Sequence, residues 1–264
     1  MDVRLLGPVE VTSGGRCLPL GPPQRRAVLA ALAVDADRPV TLRTLIERVW
    51  DDPPDGATDS LYAHIARLRQ ALTATGASIE RRGGGYALGV DPERVDAYRF
   101  RRLARQAQGA CDDLTRAALL AEAMELWRGA PLAGIRGDWA ARMRYGIEQQ
   151  FVGTVVTWAQ AHLRLGRPDM VVTELTPLVP RYPLAEPLAS MLMRGLQALG
   201  RTAEAVALYA RLRGYLADHL GIEPGPELRE LHLRMLRGGD EDRPLLRPAG
   251  RNGARDLLFA QATG

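Results

Sequence analysis

The feature that most constrains this chain is a tripeptide that recurs after 34 residues. The sequence Leu-Gly-Arg at 165–167 returns at 199–201, and each copy lies between two segments whose apolar residues repeat at helical spacing. A helix–turn–helix unit of 34 residues has the length of a tetratricopeptide repeat, and such units bury their apolar faces by stacking. The spacing therefore predicts stacked helical hairpins, although two unrelated hairpins would leave the same pattern.

The first ninety residues follow a different pattern. Short alternating segments separated by Gly and Pro predict strands, and three segments with helical periodicity follow them. Thr41 is a suitable N-cap for the second helix, and Thr58 or Asp59 for the third. Residues 78–88 then have the pattern of a β-hairpin with a glycine turn. This order of elements is typical of a winged helix-turn-helix, whose recognition helix enters the major groove of DNA.

These patterns predict a fold in two parts. We expect an α+β winged helix-turn-helix domain over residues 1–90 and an all-α tetratricopeptide-like domain over residues 91–238. Residues 239–264 are rich in Gly, Pro, Arg and Asp, which predicts a flexible tail.

The distribution of charge matters more than its total. The net charge is +4 and every one of the 35 basic residues is Arg, which codon usage in a GC-rich genome would explain. Residues 1–90 carry a net charge of only +1, yet residues 60–90 contain four Arg and one acid. Positive charge is therefore expected on the third helix and the wing. A single copy should bind DNA weakly, which favours two or more copies on one site.

The third helix has a core stripe and a polar surface. Leu61, Ile65, Leu68 and Leu72 share one face, so the remaining positions face outward. Arginine can bond bidentately to guanine and also pairs with phosphate. The candidate DNA-binding residues are Ser60, Tyr62, Ala63, His64, Arg67, Arg69 and Gln70 on the helix, and Arg81, Arg82 and Gly83 on the wing.

Several of these side chains have a structural alternative. Arg69 could pair with an acid of the second helix, and His64 could lie on the helix surface without a contact. Tyr86 is expected to pack in the hairpin. Trp127 and Trp139 are expected to be packing anchors of the helical domain.

The chain resembles the Streptomyces antibiotic regulatory protein (SARP) family over roughly residues 3–238. Members of this family join an OmpR-type winged helix to a bacterial transcriptional activation domain built from tetratricopeptide-like helices. The blocks that carry the resemblance are Arg4–Val9, Leu20–Ala27, Arg38–Val40, Leu45–Trp50, Leu68–Arg69, Gly85–Leu88, Val95–Phe100, Leu126–Gly129 and Leu220–Leu228.

The resemblance implies roles for particular positions. The Arg67 position reaches base edges in the wider OmpR group, while the Ser60, His64 and Arg69 positions contact phosphate or neighbouring bases. Arg82 matches the wing residue that enters the minor groove. Ala66 and Asp59 depart from the family pattern, so the target sequence cannot be transferred from a relative.

The resemblance also implies partners. The acidic loop between the second and third helices, with Asp51, Asp52 and Asp55, could face the sigma factor of the RNA polymerase holoenzyme, or it could be an ordinary solvated loop. The expected function is activation of an antibiotic gene cluster. Two protomers would dimerise on direct repeats of double-stranded DNA near a −35 element.

Other classes of protein find no support in the sequence. P-loop, HExxH, GxSxG and paired-cysteine motifs are absent, and the four His residues are scattered, so we expect no enzyme, cofactor or metal. The longest uncharged run, Gln149–Leu163, is too short and polar to span a membrane. We therefore expect a cytoplasmic, nucleoid-associated protein. The alternative function is a tetratricopeptide interaction scaffold with a degenerate winged helix.

Overall fold

The computed structural model describes residues 1–73 and 75–237, and its first part contains two small sheets around three helices. One sheet has the order β1-β2-β3 and the other β4-β6-β5, with antiparallel neighbours in both. The arrangement is a winged helix-turn-helix, as the sequence predicted. Its elements are β1 (Asp2–Arg4), β2 (Glu10–Ser13), β3 (Arg16–Cys17), α1 (Pro23–Ala33), β4 (Val40–Thr41), α2 (Leu42–Val49), α3 (Ala57–Leu72), β5 (Ser78–Arg82) and β6 (Gly85–Gly89).

Helix α3 is fixed in the core by its apolar stripe. Leu61, Ile65, Leu68 and Leu72 are each at most 1% exposed, which confirms the predicted core face of this helix. Their spacing of three and four residues places all four on one side of the helix. The outward orientation of the other α3 residues follows from this packing.

The two helices of the helix-turn-helix begin differently. Thr41 Oγ1 accepts a hydrogen bond from the Thr44 N–H at 3.2 Å, so the predicted cap of α2 is confirmed. The N-cap of α3 is Gly56, at φ 81°, and the prediction of Thr58 or Asp59 was wrong. The loop ends in a left-handed residue, and glycine adopts that conformation without a clash of Cβ.

The remainder of the described chain is helical. A 3-10 turn at Pro92–Arg94 precedes α4, and another at Val179–Arg181 follows α7. The predicted tail, residues 239–264, lies outside the described residues. Within the described residues no helix has the length and apolar character needed to cross a bilayer. The helices are α4 (Asp96–Gln108), α5 (Asp113–Glu125), α6 (Asp138–Arg164), α7 (Pro168–Leu178), α8 (Glu186–Ala198), α9 (Thr202–Leu220) and α10 (Pro226–Leu236).

The repeated tripeptide forms the same turn twice. Gly166 and Gly200 have φ of +68° and +74°, and they end α6 and α8. The arginine after each glycine donates its N–H to the carbonyl five residues earlier, at 2.9 Å and 2.8 Å. This is the hydrogen bond of a Schellman helix end, which requires a left-handed residue. The turn joins α6 to α7 and α8 to α9, which confirms two hairpins of one type.

The two parts of the chain are joined by a polar junction, formed by the buried residues Leu5, Leu6 and Asp96 and by the more exposed Arg128. Leu5 and Leu6 donate their N–H groups to the Asp96 carboxylate at 2.7 Å and 3.0 Å. The Arg128 N–H donates to the Leu6 carbonyl at 2.8 Å, and its guanidinium pairs with Glu10 at 2.8 Å. Burial raises the pKa of the Asp96 carboxyl, and the two N–H donors oppose that rise. A single buried core runs through both parts.

Candidate nucleic-acid interface

The exposed face of α3 lies opposite its buried stripe. Helical periodicity puts Ala63, Arg67 and Gln70 on this face, and all three are exposed, as is Ser60 near the start of the helix. Arg67 forms no hydrogen bond or ion pair with any described residue. Its guanidinium is therefore available to a ligand, and five N–H donors suit guanine or phosphate.

His64 lies on one flank of this face. Its ring is half-buried and stacks on Trp50, with 6.4 Å between the ring centroids. Burial lowers the pKa of the His64 imidazole, and the nearby Arg25 charge lowers it further. Both effects favour the neutral form of the His64 ring.

Arg69 lies on the other flank and connects α3 to the hairpin. Its Nε donates to the Ile79 carbonyl at 2.7 Å, and its Cζ lies 5.4 Å from the centroid of the Tyr86 ring. Tyr86 is buried and also contacts Tyr62 edge-on, with 6.4 Å between the centroids. The partner of Arg69 is thus a β5 carbonyl, not an acid of α2. Arg69 sets the position of the wing relative to α3.

The wing is a hairpin with a two-residue turn. Gly83 and Gly84 have φ of +54° and +77°, the left-handed pair that a type I′ turn requires. A Cβ on the next residue, Gly85, would lie 2.0 Å from the Val40 carbonyl oxygen, so this strand must pack closely on β4. The turn places Arg82 opposite Gly85 at the tip of the hairpin.

Arg82 is already occupied by two carboxylates. Its Nη1 lies 2.9 Å from Asp37 Oδ1, and its Nη2 lies 2.7 Å from Glu80 Oε2. Arg81 next to it is exposed and forms no ion pair with the described residues. The positive charge expected on the wing is therefore partly cancelled. Sequence reasoning missed Asp37, which comes from the turn after α1, 45 residues earlier.

The three acids of the loop between α2 and α3 are all exposed, but only Asp51 has a partner among the described residues. Asp51 Oδ1 accepts the N–H of Asp138 at 2.8 Å, so it caps the first turn of α6 in the helical part. A carboxylate at a helix N-terminus also interacts favourably with the helix dipole. Sequence reasoning missed this cap, but Asp51 is an exposed residue and its predicted contact with RNA polymerase stays a prediction. Asp52 and Asp55 are exposed and pair with no described residue.

Comparison with known proteins assigns both parts of the chain. Residues 16–88 match the family "Transcriptional regulatory protein, C terminal", and residues 95–236 match "Bacterial transcriptional activator domain". The regulatory protein DnrI of Streptomyces peucetius is 32% identical over 252 residues, which cover 90% of this chain and 92% of DnrI. The chain belongs to the SARP family of transcriptional activators.

Other SARP relatives extend the match. The regulatory protein AfsR of Streptomyces griseus is 36% identical over 93% of this chain, which spans about a quarter of the length of AfsR. The solved structure of Mycobacterium tuberculosis EmbR with a low-affinity phosphopeptide has a TM-score of 0.80 and 32% identity. That match covers 89% of this chain and 65% of the EmbR chain. The SARP architecture of a winged helix followed by an all-α activator domain is therefore present here.

Proposed function

We propose that this protein is a non-enzymatic, sequence-specific transcriptional activator. In this proposal residues 1–90 bind double-stranded DNA and residues 91–238 contact the transcription machinery. The observation that carries it is the exposed face of α3, where Arg67 has no partner among the described residues and the opposite stripe is locked into the core. A rigid helix with an unpaired arginine suits base readout in the major groove.

The same geometry suggests how the other candidates contact DNA. We infer that Arg67 reads base edges, with its α3 neighbours contacting phosphates or adjacent bases. The wing follows the backbone and reaches the minor groove. Arg69 supports this arrangement through its bond to β5. The proposed contacts are Ser60, Tyr62, Ala63, His64 and Gln70 on α3, and Arg81, Arg82 and Gly83 on the wing.

The activation step is also part of the proposal. Two protomers would bind direct repeats about one helical turn apart, next to a −35 element. Asp52 and Asp55 are exposed beside α3, which suits a contact with the basic surface of a sigma factor of RNA polymerase. The family name favours an antibiotic gene cluster as the target.

The test is a binding titration with footprinting on promoter DNA. Arg67→Ala should weaken binding of the footprinted site by about 5- to 150-fold, the range for one bidentate base contact. It should weaken binding of random DNA much less. Arg142→Ala removes an equal charge from an exposed position of α6 and is the matched control. Equal losses for both variants, or equal losses on both DNAs, would contradict the assignment.

Two observations favour the alternative function, an interaction scaffold that does not bind DNA. The wing arginine is paired with two acids, and residues 1–90 have little net positive charge. A degenerate winged helix would show no footprint and no salt-dependent affinity. A DNA-binding protein should instead lose affinity linearly in a plot of log affinity against log salt concentration.

A further inference from the structure

Arg82 is the centre of an ion-pair cluster on the wing, formed by Asp37, Glu80 and Arg82. Its Nε donates to Glu80 Oε2 at 2.9 Å, and its Nη1 donates to Asp37 Oδ1 at 2.9 Å. With the Nη2 contact to Glu80, three of its five N–H donors are directed at carboxylates. The cluster has a formal charge of −1, so in this arrangement it repels a phosphate.

Asp37 is held in place by its backbone. It has φ +60°, a left-handed conformation that Asp and Asn tolerate better than most residues. Its N–H donates to the Leu88 carbonyl at 2.9 Å, which ties the turn after α1 to strand β6. Because β6 pairs with β5, the Asp37 carboxylate and Arg82 are positioned by the same sheet.

Glu80 is held in place by its own strand. Residues two apart on a strand point to the same side, so Ser78, Glu80 and Arg82 lie together on β5. Ser78 Oγ donates to Glu80 Oε1 at 2.8 Å, which leaves Oε2 to face Arg82. Both carboxylates are thus oriented by the fold before any DNA arrives.

We propose that Asp37 and Glu80 compete with DNA for Arg82 and thereby limit the affinity of this wing for its site. The inference rests on the proposed DNA-binding function. To enter a groove, Arg82 must exchange two carboxylates for acceptors of the DNA. The cost of the broken pairs falls on every DNA that Arg82 contacts, and it is largest at the specific site, where that contact is fully made. The wing thereby carries an internal competitor that weakens its own contact with DNA.

The test is a double-mutant cycle on DNA affinity. Asp37→Asn keeps a residue that suits the left-handed turn and should tighten binding of the footprinted site by about 1.5- to 5-fold, the range for an exposed ion pair. Binding of random duplex should tighten less, because Arg82 can stay paired there. In an Arg82→Ala background the gain should disappear. Asp91→Asn removes an exposed charge that does not contact Arg82 and is the matched control.

The outcomes separate this inference from the proposed function. A gain for Asp37→Asn that persists without Arg82, or that Asp91→Asn reproduces, is general electrostatics and overturns the inference. Weaker binding by Asp37→Asn also overturns it, because the pair would then orient Arg82 for DNA. If Arg67→Ala weakens specific binding while Asp37→Asn changes nothing, only the cluster's role is refuted. If the wild type binds no DNA, both proposals fail.

Discussion

The polar junction makes a specific prediction for Asp96. This side chain is 7% exposed and accepts the N–H groups of Leu5 and Leu6, neither of which has any exposed surface. Asp96→Ala would remove the acceptor of both buried N–H groups. Arg128 lies 3.9 Å from the carboxylate and keeps its own pair with Glu10.

The magnitude follows from the two orphaned donors. Each buried N–H group left without a partner costs about 1–3 kcal/mol, so Asp96→Ala should lower the free energy of unfolding by about 2–6 kcal/mol. Asp96→Asn retains one acceptor oxygen and presents an NH₂ group to the other donor. Its loss should be about half as large. The loss is a large fraction of the stability of an ordinary domain.

The assay is urea unfolding at pH 7, followed by circular dichroism and by tryptophan fluorescence. Asp112→Ala is the control, because exposed Asp112 accepts one N–H, that of Thr115, and water can replace it. We expect the order wild type, Asp112→Ala, Asp96→Asn, Asp96→Ala in decreasing stability. A loss for Asp96→Ala no larger than that for Asp112→Ala would refute the reasoning.

Three further predictions concern stability. Gly85→Ala should cost about 3 kcal/mol or more in urea unfolding, since its Cβ would lie 2.0 Å from the Val40 carbonyl oxygen, while Gly84→Ala in open space should cost only about 1–2 kcal/mol. Two arginines lower the pKa of the Asp113 carboxyl from 3.8 to about 2. Its contribution to the free energy of unfolding is therefore present above pH 4 and is lost as the pH falls to 2. In Asp113→Asn the free energy of unfolding should depend less on pH in this range. Asp51→Ala should raise the amide-exchange rate at the start of α6, and an unchanged rate would argue against the cap.

Much of the fold could be predicted because its signals are local. The apolar stripe of α3 and the glycine turns at 166 and 200 each depend on residues that are close together in the sequence. Each has the predicted form. The junction could not be predicted in this way. In the sequence, Asp96 looks like any acid in the first turn of a helix. Its role as a hydrogen-bond acceptor depends on a backbone donor 90 residues earlier. Only tertiary packing brings those groups together.

The candidate site shows the same limit. The exposed face of α3 followed from periodicity, and its DNA contacts stay predictions. The partners of the charged residues could not be predicted from periodicity, because an ion pair depends on which segments the fold brings together. Asp37, Ile79 and Asp138 supply partners to Arg82, Arg69 and Asp51, and none has a distinctive local pattern. Counting charges by segment therefore overestimated the free positive charge of the wing.

The junction also has a consequence for the order of folding during synthesis. Strand β1 is made early, but the Leu5 carbonyl finds its partner on Leu132, which the ribosome adds about 127 residues later. At roughly 5–20 residues per second, that delay is about 6–25 s. During this interval the Leu5 carbonyl lacks the partner that it has in the finished protein. The hydrogen bonds of the junction are therefore completed only after the chain between α5 and α6 has been made.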